Sequence, residues 1–69
     1  MAVIKVIELV GQSKTSWEDA VKAAVKEASK TIRHISGVEV LNWTGKVEDD
    51  EIVRYRANVK VAFRVDQED

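Results

Sequence analysis

The segment IVRYRANVKVAFRV, Ile52–Val65, decides the architecture. Val53, Tyr55, Ala57, Val59, Val61, Phe63 and Val65 make every odd position apolar, while Arg54, Arg56, Asn58, Lys60 and Arg64 fill most even ones. Successive side chains on a strand point to opposite faces, so this alternation specifies a strand with one core face and one basic face. The acidic run Glu48, Asp49, Asp50, Glu51 before it reads as a turn. Upstream, Val38 to Val47 reads as another strand, with Val38 and Val40 on one face and Glu39, Leu41, Trp43 and Val47 mainly on the other. A short turn between two such strands makes them a hairpin.

Working outward, Ala2 to Val10 (AVIKVIELV) is rich in β-branched residues and is expected to stop at Gly11, in the turn-like Gly-Gln-Ser-Lys-Thr-Ser. Its two faces, Val3, Lys5, Ile7, Leu9 and Ile4, Val6, Glu8, Val10, each carry three apolar residues and one charge, as expected of a strand covered on both sides. Ser16 is the candidate N-cap of a helix, with Asp19 at the third helical position. Trp17, Ala20, Val21, Ala24, Val25, Ala28, Ile32 and Ile35 follow three-and-four spacing, which predicts a helix to about Ile35. Arg33, His34 and Gly37 supply its stop signals. The order is β-α-β-β: a single α+β domain over 1–69, a three-stranded antiparallel sheet packed around one long helix, with Asp66–Asp69 expected to fray.

A 69-residue chain rarely obtains more than about 3–5 kcal/mol from one core. The sequence has no cysteine and one histidine, His34, which removes disulfides and thiolate metal sites as stabilisers and leaves self-association. Eleven Lys+Arg against 12 Asp+Glu give a net charge of -1, so no global field attracts nucleic acid or an anionic membrane. No apolar run approaches the roughly 20 residues of a membrane span, and no signal-peptide pattern opens the chain. A cytoplasmic location is expected, and the cysteine-free composition fits a reducing compartment.

Catalytic chemistry has little foundation. Ser13, Ser16, Ser29 and Ser36 lack the glycine context of a nucleophile elbow, and His34 reads as a helix-end residue beside the last carbonyls. The chain is therefore expected not to be an enzyme. Glu48–Glu51 lacks the alternating ligands and central glycine of an EF-hand loop and reads as a solvated turn. The basic face of the last strand suits either a phosphate or pairing with Glu8 and Glu39. Trp17 and Trp43 are best able to bind a planar ligand. Trp17 belongs to the helix stripe, whereas Trp43 falls on the face that Val38 and Val40 do not use, beneath a neighbouring subunit or beside a ligand.

Four segments, in order and covering nearly the whole chain, resemble the dodecins: Ile7–Ser13, Lys30–Ile35, Val38–Val40 and Val61–Val65. The resemblance implies a hollow homododecamer that binds riboflavin or flavin mononucleotide (FMN) without turnover. In flavin-binding dodecins a tryptophan just after the helix stacks on the isoalloxazine ring, and a glutamine on the third strand bonds its polar edge. Those positions fall here on Gly37 and Arg56. The implied binding site comprises Gly37, Val38, Glu39, Arg56 and, from a symmetry-related copy, Trp43, because within one strand Trp43 lies roughly 20 Å from Gly37. Arg56 is expected to meet an anionic flavin edge or a phosphate, or to pair with Glu39. The alternative is a dodecin-fold cage that binds another ligand, an ion such as calcium, or a protein instead of flavin.

Overall fold

In a computed structural model, which describes residues 3–65, the alternating segment is the central strand. The elements are β1 (Val3–Ser13), α1 (Trp17–Ala28), β2 (Ile35–Glu48) and β3 (Glu51–Val65), with β1 and β2 each antiparallel to β3. Asp66–Asp69 and the expected first strand residue, Ala2, lie outside the described residues. Odd residues of β3 face α1: Ala57, Val59 and Val61 are fully buried and meet Ala20, Ala24 and Ala28 of the helix stripe. Alanine on one side and valine on the other let helix and sheet approach closely. The core is correspondingly small, with Val59 and Val61 its largest fully buried side chains among the described residues.

β1 runs two residues past Gly11, which is not a turn glycine. Gly11 pairs with Ala57 and lies under the helix, where a Cβ would stand 2.0 Å from the Ala20 carbonyl oxygen. The strand continues to Ser13, whose hydroxyl accepts from the Thr15 amide (2.9 Å) and donates to the Asp19 carboxylate (3.0 Å). Ser16 caps α1 as expected, its Oγ accepting from the Asp19 amide at 3.0 Å.

The helix ends at Ala28, not near Ile35. Ser29 turns its hydroxyl onto the Lys26 carbonyl (2.7 Å), a local bond that competes with helix continuation. The amides of Thr31 and Ile32 both bond back to the Ala28 carbonyl, and His34 has a φ of 64°, outside any helix. The β-branched residues that follow favour extended chain, and Ile35 already pairs with Phe63 in the sheet. Ile32 and Ile35 still pack on the core, from the connector and from β2, so the helix-like spacing reflects burial without helix.

The β2–β3 hairpin forms as expected around Asp49 and Asp50, with φ values of 52° and 65°. Two left-handed residues form the turn that suits strand twist, and glycine is preferred at its second position. Asp50→Gly relieves both that conformation and repulsion within four consecutive acids. It is expected to stabilise the protein by about 0.5 kcal/mol, read from the urea midpoint.

β2 has register shifts between Ile35 and Gly37, between Val40 and Asn42, and between Lys46 and Val47. The middle one matters most. Val38 and Val40 oppose Val61 and Val59 on the helix side, Asn42 opposes Asn58 on the outer side, and Trp43 then opposes Ala57, back on the helix side. The extra residue, Leu41, thus puts Trp43 on the face of Val38 and Val40, opposite to the expectation from simple alternation.

Candidate functional site

The outer face of the sheet, away from α1, carries the even residues of β3. Beside them lie Ile4, Val6, Glu8, Val10 and Gln12 of β1 and Gly37, Glu39, Asn42 and Thr44 of β2. At its centre Lys60 stands between Glu8 and Glu39, one directly opposite on each neighbouring strand. The pairing of the basic face with Glu8 and Glu39 is therefore present in the strand register, a cross-strand arrangement that stabilises sheets modestly.

Next to this rung is a hollow of about 360 Å³ lined by Val6, Gly37, Val38, Glu39, Lys60 and Ala62. Three of the expected site residues, Gly37, Val38 and Glu39, therefore meet in one concavity. Nothing lies within 4 Å of the position a Gly37 Cβ would take, so the hollow opens where that side chain is missing. Val6 and Ala62 supply its apolar floor and were not singled out from sequence. The only signal was that Ala62 interrupts the mostly polar even positions of β3; Val6 is one of three apolar residues on its face of β1, and pairing the two requires the strand register. A second hollow of about 350 Å³ lies nearby, lined by Ile4, His34, Ile35, Ser36 and Arg64. His34 lies here, on the connector entering β2, six residues beyond the end of the helix whose terminus it was expected to occupy.

Arg56 is elsewhere. It stands between Gln12 and Thr44, and its Nε donates to Gln12 Oε1 at 2.9 Å. The expected pairing with Glu39 is not formed, because Glu39 opposes Lys60, four residues along β3. Ala62 opposes Gly37, and the six residues from there to Arg56 span about 20 Å. Within one chain Arg56 and Gly37 do not share a site.

Trp43 is on the opposite face altogether. With Trp17 it lines a separate hollow of about 400 Å³ on the helix side. Trp17 is held there by a 2.8 Å bond from its indole nitrogen to the Thr44 carbonyl and by edge contact with Tyr55, at 4.8 Å between centroids and 83° between planes. Around the hairpin turn, and among all described residues, no three His, Asp or Glu side chains cluster as a metal-holding group. No helix of the described residues is long and apolar enough to cross a membrane.

Fold and site thus define a small helix-on-sheet protein whose outer sheet face carries open, unroofed concavities. The dodecin family profile matches residues 3–66, and the chain belongs to the dodecin family. It is 35% identical to a dodecin of Thermus thermophilus over 65 residues, 94% of each chain. It is 34% identical to the calcium dodecin of Mycobacterium tuberculosis over 65 residues, 94% of this chain and 92% of that one. Among solved structures, a Thermus thermophilus protein at 34% identity superposes with a TM-score of 0.94, covering 99% of this chain and 100% of the other. The calcium dodecin, whose structure is described as having a novel calcium-binding site, superposes at 0.81 with 31% identity, covering 97% of this chain and 96% of that one.

Proposed function

We propose that this chain is a non-catalytic dodecin that assembles as a hollow homododecamer in the cytoplasm and sequesters riboflavin or FMN, at a site altered by Gly37 and Arg56. The observation that carries the reading is the hollow over Gly37. Its 360 Å³ is at the small end of small-molecule pockets, which run about 300–1,000 Å³, and it is open on one side. Such a site needs a second copy to close it. Incomplete burial supports that partner: the chain exposes 5283 Å², against about 4,400 Å² expected of a compact 7.8 kDa monomer. In this reading Val6 and Ala62 form the apolar floor, Val38 and Glu39 the wall, and Arg56 reaches the ligand from a neighbouring copy. Ring binding between such groups gives neither a hydride acceptor site nor a substrate pocket, so turnover is not part of the proposal.

A second reading, a cage that takes a cation or another ligand in place of flavin, is favoured by the 34% identity to a protein named calcium dodecin. Since one chain offers no cluster of three acidic ligands among its described residues, such a site draws carboxylates from several copies.

Titration with riboflavin and FMN separates the two. Saturable quenching of flavin fluorescence is expected below about 100 micromolar, a ceiling set by the missing indole. Absence of quenching, with calcium binding seen by calorimetry, replaces the first reading with the second.

A further inference from the structure

We propose that Trp17 and Trp43 form a second ligand site, on the helix side of the sheet, for an uncharged planar heteroaromatic ring. Among the described residues the two indoles line the 400 Å³ hollow, a volume within the range of small-molecule pockets. The first wall is fixed in advance: the Thr44 carbonyl holds the Trp17 indole nitrogen, and Tyr55 meets the ring at its edge. The ring lies beside Gly45, where a Cβ would make only ordinary contact with Trp17 Cζ2, at 3.8 Å. The second wall is Trp43, 51% exposed although it belongs to the side of the sheet that bears the core.

A register shift supplies the independent argument. Were Leu41 paired in register with β3, Trp43 would oppose Arg56 on the outer face, away from Trp17. Bulges re-aim side chains, and this one turns a large aromatic toward another and leaves half of it open. Aromatic walls bind flat rings by stacking with little selectivity among them. Neither described lining residue is charged, which favours an uncharged ring. This hollow and the one over Gly37 lie on opposite faces of the sheet, so neither site depends on the other.

Caffeine is a suitable probe, being neutral, planar and soluble. Saturable quenching of tryptophan emission is expected with the assembled protein, and Trp43→Ala should weaken caffeine binding by about tenfold or more. If Trp43→Ala does not fold, Trp43→Leu keeps apolar volume while removing the stacking plane and should show the same loss. Three outcomes overturn the proposal. Quenching that rises linearly without saturation means collision only, and equal affinity in the variant means the ring binds elsewhere. A fall in native mass on Trp43→Ala or Trp43→Leu means that another copy of the chain covers the hollow. FMN titration reports the outer-face site separately, whatever the result with caffeine.

Discussion

Adding one methyl group at Gly11, as Gly11→Ala, is expected to cost about 3 kcal/mol and to bring the protein to the edge of folding. The new Cβ would stand 2.0 Å from the Ala20 carbonyl oxygen and 2.9 Å from Ala24 Cβ. The first of these is backbone and cannot swing aside, so α1 must lift from the sheet or β1 must bend. Either movement opens the contact between Ala20, Ala24 and Ala57, which is most of what the helix buries. The roughly 0.4–1 kcal/mol that alanine contributes by restricting the unfolded chain is too small to compensate. Gly37→Ala is the matched control: its Cβ enters open space, and its effect should stay within about 0.5 kcal/mol. Urea midpoints at one fixed protein concentration decide the matter, because self-association would make stability concentration-dependent. A Gly11→Ala midpoint equal to that of Gly37→Ala would mean that the helix does not sit over this residue.

Gly11 also marks the limit of what the sequence conveys. A glycine after a β-branched run signals equally a turn or a close approach, and only the placement of α1 distinguishes them. β3 was legible because every odd position from Val53 to Val65 is apolar while most even ones between them are polar. Ser16 was legible as a cap because capping is local, within three residues. The end of α1 was not, since Ile32 and Ile35 bury themselves at helical spacing while leaving the helix. Nor was the face of Trp43: alternation counts residues, and Leu41 adds one that pairs with nothing. For the candidate site, Gly37, Val38 and Glu39 are neighbours in sequence and share one hollow. Val6, Lys60 and Ala62 join them only through pairing across three strands, which no local pattern encodes.

Gly37→Trp is expected to raise flavin affinity by about tenfold to a hundredfold, the largest functional change available from one substitution in this chain. Nothing lies within 4 Å of a Gly37 Cβ and a hollow of about 360 Å³ adjoins it, so the side chain starts into open space without displacing backbone. One stacking contact is worth about 1–3 kcal/mol, and a pair of flavins stacked across a two-fold axis would gain it at each ring. Arg56→Gln acts differently. It removes an exposed bond to Gln12 and places an amide about 20 Å along β3 from the Gly37 rung, so any benefit has to arrive through a neighbouring copy. On its own it should change riboflavin affinity little. Combined with Gly37→Trp it should add about twofold to tenfold, the worth of one hydrogen bond. It should also narrow any preference for FMN over riboflavin, because the guanidinium that would meet the phosphate is gone. Fluorescence titrations of the two single variants and the double variant, each verified to keep the parent's native mass, measure these terms independently. An unchanged flavin affinity in correctly assembled Gly37→Trp would move the ligand away from this hollow, whereas a gain in Gly37→Trp with none added by Arg56→Gln would keep the hollow and remove Arg56 from it.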